Sequence, residues 1–330
     1  MRVYEVSVII PAYNRAGLIG ETLASVLAQT HPPAEILVVD DGSTDNTADV
    51  VRGFAPRVRY LKIDNSGPSI ARNAGVAATR MPWIAFCDSD DLWRPDRLAR
   101  QLELLEREPE LDYIFTNFVH IVDGHWQSSS KFDQAPAEFW SGIRNEVAPG
   151  LWVLNQPLYG RLLRFQPIFP STVLMSRAFF ERVGRCNPAF SRTISEDWEF
   201  TLRCASEAPL GVVADPVVGI RKHAENYSGN VLRCLLGELE ILRHAAARHP
   251  AAAPFLDVIQ DEMARRSAEA ADIAFAVGDF TLLRRLAENV PLSKRTWKLR
   301  VKHWVASMPA WVAKPAHRAL LRLSDLRTHG

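Results

Sequence analysis

The chain has 330 residues, 47% of them hydrophobic, which is enough material for one large α/β domain with an appendage. Its 39 lysines and arginines against 38 aspartates and glutamates leave a formal charge of +1, a balance that argues against nucleic acid as a partner. Four scattered cysteines, Cys87, Cys186, Cys204 and Cys234, form no CxxC pair, which suits free thiols in a reducing compartment better than a disulfide framework and argues against a zinc site.

The N-terminus leads straight into an apolar run over 5–10, with Glu5 and Pro11 placed where a signal-peptide core would tolerate neither. That run and Glu35–Val39 read as strands, and between them Leu18, Leu23, Val26 and Leu27 recur at helical spacing until Pro32-Pro33. Strand, helix and strand in that order imply parallel pairing through a right-handed crossover. The alternation continues with a helix starting near Ser43 to Asp45, a strand over 58–63, a helix over 69–79 and a strand over 82–87. Pro95 then opens a helix carrying Leu98, Leu102 and Leu105. Residues 113–122 form a further strand turning at Asp123-Gly124, whereas 128–149 lack periodicity and read as a long loop. An apolar run over 211–220 leads into Arg221-Lys222-His223. From Val231 the pattern is helical: Leu232, Leu235, Leu236, Leu239 and Leu242 make one stripe, and 264–289 read as a hairpin turning at Gly278-Asp279. No stretch reaches the roughly 18 to 20 uncharged apolar residues of a spanning helix, so a cytoplasmic protein is expected.

Two acidic groups stand at strand ends. Asp40-Asp41 closes one apolar run and enters Gly42-Ser43-Thr44-Asp45; Cys87-Asp88-Ser89-Asp90-Asp91 closes another over 83–86. Carboxylates crowded there repel one another, and a divalent cation that also holds phosphate is the commonest reason to keep them. Open α/β sheets bind ligands beyond the carboxyl ends of their strands, so both groups point to one crevice for a metal and nucleotide phosphates.

Five segments in order carry a resemblance: Ser7-Val8-Ile9-Ile10-Pro11-Ala12-Tyr13-Asn14-Arg15, Asp40 to Asp45, Gly67 to Gly75, Asp88 to Asp91, and Ser195-Glu196-Asp197-Trp198. In these the first 230 residues or so resemble a family 2 glycosyltransferase, the inverting, nucleotide-sugar-dependent type. The resemblance implies the GT-A fold, a Rossmann-like mixed central sheet flanked by helices, over 1–230, with 1–110 as the nucleotide-binding half and 111–230 as the acceptor half. Residues 231–330 are left as an all-helical C-terminal region. The implied activity is transfer of a sugar from a nucleotide-sugar donor, UDP-linked by preference, to a hydroxyl of a glycan or lipid-linked glycan, as in polysaccharide and cell-envelope biosynthesis.

Residue by residue, the resemblance places Pro11, Ala12 and Tyr13 against the nucleotide base, although Tyr13 also reads as an aromatic packed on the core. Asp40 corresponds to the carboxylate that meets base or ribose, with Asp41 in support or capping the next helix, and Asp45 as a helix-start carboxylate. Arg72 matches a basic residue that reaches the nucleotide, with a surface arginine as the alternative. Asp88-Ser89-Asp90 matches the DxD motif: Asp88 toward the ribose, Ser89 beside the nucleotide and Asp90 holding Mn²⁺ or Mg²⁺ on the diphosphate, with Asp91 supporting it. His223 is a second metal candidate, set against a purely structural histidine. Inverting transfer needs a base for the acceptor hydroxyl; Asp197 matches it, Glu196 is the fallback, and a solvated helix start capped by Ser195 is the bland alternative.

The basic tail allows two readings. Lys294, Arg295, Lys298, Arg300, Lys302 and His303 interleave with Trp297, Val301, Trp304, Val305 and Met308 at helical spacing, which suits peripheral contact of 294–323 with an anionic membrane surface. Alternatively Trp297, Trp304 and Trp311 pack onto the helical hairpin, with Leu299 off the apolar face. Two rival functions stand beside the transferase: a nucleotidyltransferase, which lacks its glycine-rich basic loop here, and a non-catalytic glycan- or membrane-binding scaffold, for which four unpaired carboxylates around one cleft have no use.

Overall fold

Strand β1 (Val6–Ala12) is buried along its whole length in a computed structural model that describes residues 4–223 and 229–328. It can be continuously apolar because parallel strands cover both its edges and helices its faces. The chain order after it is α1 (Ile19–Leu27), β2 (Glu35–Asp40), α2 (Thr47–Arg52), β3 (Arg59–Lys62), α3 (Pro68–Ala78) and β4 (Trp83–Phe86). Then come β5 (Leu92–Trp93), α4 (Arg97–Arg107), β6 (Tyr113–Val122), β7 (His125–Ser130), β8 (Arg144–Ala148), β9 (Leu151–Leu154) and α5 (Tyr159–Leu162). β10 (Val173–Ser176), α6 (Arg177–Val183), α7 (Glu196–Cys204) and β11 (Leu210–Lys222) complete the first of two compact units, Met1–Asn226 and Tyr227–Gly330.

The main path of the sheet runs β3-β2-β1-β4-β10-β6-β11-β9-β8, with β5 paired to β11 and β7 to β6. β1 is parallel to β2 and β4, β10 is antiparallel to both β4 and β6, and β11 is parallel to β6. The register Ala12↔Asp40 sets the ends of β1 and β2 side by side, so Tyr13, Asp40-Asp41, the turn after β4 and His223 all gather at one edge of the sheet. Residues 128–149 are not the long loop expected: the end of β7, a 3₁₀ turn at Phe132–Gln134 and β8 occupy that stretch. Their polar runs, HWQSSS and RNEVA, belong to strands at the rim of the sheet and lack the apolar alternation that would announce them.

The second unit is all helix: α8 (Val231–Arg248), α9 (Leu256–Ala276), α10 (Phe280–Glu288), α11 (Trp297–Ala306) and α12 (Ala310–Thr328). Asn230, Asp279 and Thr296 cap α8, α10 and α11 by accepting from the backbone N–H groups of Arg233, Leu282 and Leu299. Leu239, Ala270, Ala274, Leu283, Leu286, Leu299 and Val305 are buried in its core. The tail departs from the packed reading, and Val305 does not share the face of the tryptophans as the other reading placed it. Leu299 and Val305 face inward, while Trp297, Trp304 and Trp311 are 67%, 64% and 80% exposed rather than packed on the hairpin. Among the described residues no helix is long and apolar enough to cross a membrane.

Candidate active site

Pro11 and Ala12 are buried at the end of β1, but Tyr13 is 45% exposed, which removes the reading of an aromatic packed on the core. Asp40 is fully buried; its carboxylate accepts from the Ser43 N–H at 2.7 Å and from the Tyr60 hydroxyl at 2.5 Å. Burial, reinforced by that hydrogen bond to the Asp40 carboxylate, pushes the Tyr60 phenol up to about 12. Asp41 accepts from the N–H groups of Ser66 (2.7 Å) and Gly67 (2.8 Å), so it ties down the entry to α3 rather than capping α2. Asp45 accepts from Thr47 and Ala16 N–H, both at 3.0 Å, and these bonds with the Thr47 hydroxyl outweigh burial and hold its carboxyl below the usual range.

The 88–91 turn is braced from several sides. Ser171, just before β10, accepts from the Asp88 N–H at 2.9 Å and donates to the Asp91 carboxylate at 2.5 Å. Its own carbonyl accepts from Trp93 Nε1 and from the buried guanidinium of Arg97, which lies 3.8 Å from the centre of the Trp93 ring. Arg221 N–H reaches Asp91 from β11 at 3.2 Å. Burial raises the Asp91 carboxyl well above its ordinary value, and repulsion from Asp90 and Asp88 raises it further. Ser89 is buried in the turn. Asp90, by contrast, is partly exposed, with His223 Nε2 at 3.0 Å and Arg15 Nε at 3.5 Å from the same oxygen. Asp90 and His223, assigned to a metal from the sequence, are thus brought together; Arg15 stood in the quoted first motif without a role.

Arg72 is the junction of the site. It is not a surface arginine: it is buried, and its two terminal nitrogens donate to Asp88 at 2.8 Å and to Glu196 at 2.7 Å. The neighbouring Asn73 exchanges hydrogen bonds with the Cys186 backbone, 2.8 and 3.0 Å. Ser191 caps α3 through the Ile70 N–H at 3.1 Å and lies so close to Gly67 that a Cβ there would sit 1.9 Å from its carbonyl oxygen. These contacts dock the segment that leads into α7. Ser195 then adopts a left-handed backbone, φ 70°, and makes no side-chain cap, so the acidic run is not a solvated, serine-capped helix start. Glu196 is buried and Asp197 half-buried. Burial raises the Glu196 carboxyl against the pull of Arg72. Asp197 is pushed up to about 7, first by burial and then by the Glu196 charge, with Asp88 adding and Arg72 opposing.

The family model described as glycosyl transferase family 2 matches residues 7–167. That match takes in just under half of the chain and four of the five ordered segments. A putative teichuronic acid biosynthesis glycosyltransferase of Bacillus subtilis, TuaG, is 41% identical to it over 118 residues, 34% of this chain and 46% of that protein. Succinoglycan biosynthesis protein ExoO of Rhizobium meliloti is 47% identical over 104 residues, 31% of this chain and 30% of that one. The chain spans less than half the length of these curated relatives. Among solved structures, S. aureus TarS 1–349 in complex with UDP-GlcNAc superposes with a TM-score of 0.60 at 18% identity, covering 87% of this chain and 82% of that one. The mannosyltransferase PcManGT from Pyrobaculum calidifontis, in complex with GDP-Man and Mn²⁺, superposes with a TM-score of 0.55 at 19% identity over 92% and 85%. These likenesses establish the GT-A fold, a mixed sheet flanked by helices with a helical C-terminal region.

The donor set at Asp90 and His223, one carboxylate oxygen and one imidazole nitrogen at the rim of the cleft, fits a Mn²⁺-type cation, and the oxygen-rich turn around it suits Mg²⁺ as well. The serines and Tyr60 that shape this site carry no sequence signal. Lone hydroxyls have no diagnostic spacing, and only the fold brings Ser171 to Asp91 across 80 residues.

Proposed function

We propose that the chain is an inverting glycosyltransferase that moves a sugar from a nucleotide-sugar donor, UDP-linked, to a hydroxyl of a glycan or lipid-linked glycan in the cytoplasm. The observation that carries this is the Asp88–Arg72–Glu196 bridge. It joins the turn suited to a donor diphosphate to the helix start that holds Asp197. Asp197 is the base: a carboxylate raised toward neutrality takes a proton far more readily than one in water. The acceptor oxygen bonds to C1 as the C1–O bond to the diphosphate breaks. The hydroxyl proton passes to the Asp197 carboxylate, and the electron pair of the broken bond leaves on the nucleoside diphosphate.

Tyr13 and the end of β1 line the base pocket, and Asp40 shapes that pocket through Ser43 and Tyr60. Asp90 and His223 would hold Mn²⁺ or Mg²⁺, which supplies Lewis-acid stabilisation to the departing diphosphate. Glu196, spent on Arg72, positions Asp197 and sets its proton affinity. The partial matches to TuaG and ExoO support an envelope or extracellular polysaccharide as the product, and the UDP-GlcNAc in the TarS complex supports a UDP-linked donor. The test is release of UDP from a panel of UDP-sugars with Mn²⁺ or chelator, in wild type and Asp197→Asn. Metal-dependent release, cut by at least roughly a hundredfold in the variant with UDP binding retained, is expected. Wild-type turnover in Asp197→Asn refutes the assignment of the base.

A further inference from the structure

Helix α11 is apolar on two sides. Leu299, Val305 and Ala306 are buried in the helical unit's own core, which accounts for one side. Trp297 and Trp304, seven residues apart and so on a common face, project to solvent, as do Trp311 at the start of α12 and Leu292 just before α11. Exposed tryptophan is costly in water, and three within fifteen residues are not the scattered apolar side chains that any surface carries.

The charge around them has one sign. From Asn289 to Leu320 there are seven lysines and arginines and no aspartate or glutamate, in a chain whose net charge is +1. Lys302 is paired to Asp272 at 2.7 Å and Lys294 to Asp261. Arg295, Lys298, Arg300, Lys314 and Arg318 have no carboxylate partner among the described residues; Arg295 and Arg300 donate to the backbone carbonyls of Val290 and Leu292. Arg300 lies one turn from both Trp297 and Trp304, which places a cation between the two indoles.

We infer that this face of the helical unit docks on an anionic bilayer surface, with Trp297, Trp304 and Trp311 seated at headgroup depth and the unpaired cations against lipid phosphates. An indole has an apolar body and a polar N–H, which suits it to that layer, and cationic side chains beside it gain from the negative surface potential. A second copy of the chain is disfavoured as the occupant, because two such faces would bring like charges together. The inference stands apart from the transfer reaction, since it concerns the helical unit and is read by binding.

The test is co-sedimentation of the full chain with phosphatidylcholine vesicles, with and without phosphatidylglycerol. Binding is expected only with the anionic lipid, weakened by salt and reduced more than roughly tenfold in Trp297→Ser/Trp304→Ser/Trp311→Ser, and likewise in Lys298→Glu/Lys314→Glu. The tryptophans are exposed, so the triple variant should keep its melting temperature and its donor hydrolysis. Three results overturn the inference: no sedimentation of wild type with anionic vesicles; equal binding by the triple variant, which would mean charge alone, as for a nucleic acid; or a concentration-dependent dimer that the tryptophan substitutions dissolve.

Discussion

Replacing Arg72 by methionine keeps most of the side-chain volume and removes two charge-assisted hydrogen bonds, 2.7 Å to Glu196 and 2.8 Å to Asp88. The guanidinium and Glu196 side chains are each 6% exposed, so water cannot replace what is lost. Deleting one member of a buried ion pair and stranding the other costs about 3 to 5 kcal/mol. In a unit of this size that lowers the melting temperature by about 10 °C. Part of the loss is recovered by protonation. Without Arg72 the Glu196 and Asp197 carboxyls rise further above their ordinary values, so the folded variant holds protons that the unfolded chain releases. Its stability therefore falls more steeply with rising pH than the wild type's, and the gap between the two narrows as pH drops from 8 toward 5. Urea titrations of both proteins at the two pH values measure this. A difference below about 1 kcal/mol at pH 8, or one that does not change with pH, would refute the role given to the bridge.

Because Asp197 must lose a proton to act and its carboxyl sits at about 7, kcat/KM should rise with pH through the neutral range. Glu196→Gln removes a charge that raises it and should move that limb to lower pH; a limb unmoved in Glu196→Gln would assign the titration to another group. Asp90→Asn and His223→Gln should each weaken Mn²⁺ binding in the presence of UDP by more than roughly tenfold in calorimetry, and unchanged affinity in both would place the metal elsewhere. Gly67→Ala puts a Cβ at 1.9 Å from the Ser191 carbonyl oxygen at a backbone φ of 90° and should cost about 3 kcal/mol or more in urea unfolding; a loss under about 1 kcal/mol would mean that the 187–195 segment gives way freely.

β1, β2 and β4 were legible because buried parallel strands are largely apolar, as Val6–Ala12, Glu35–Asp40 and Trp83–Phe86 are, and α1 and α4 because each carries an apolar stripe. β7 and β8 escaped because their residues are mostly polar, and β10 because three apolar residues and a serine do not say which strands they join. In the site, Asp90, Asp197 and His223 could be picked out by chemistry and order along the chain. What each one touches could not: that Arg72 is buried between two carboxylates, or that Ser171 braces the acidic turn, depends on strands meeting across 16 to 124 residues of sequence. The tail shows the limit of periodicity most plainly. Trp297 and Val305 share an apolar character, and only packing separates the side turned inward from the side turned out.

The placing of β10 between β4 and β6 has a consequence for how such a protein can diversify. After β6 the chain adds β7, β8 and β9 to the far side of the same sheet and then comes back beside β4 as β10, its register there set by Leu174↔Ala85 and Met175↔Ile84. Whatever lies between, including β7, β8 and β9, is spliced into a frame whose two splice points do not shift. Changes confined to the polar rim strands β7 and β8 leave β10 held between β4 and β6, and with it Ser171 beside Asp88 and Asp91. Natural drift or a designer can therefore rewrite that rim of the sheet while the acidic turn keeps its geometry, a separation of variable from invariant parts that is written into strand order rather than into any single residue.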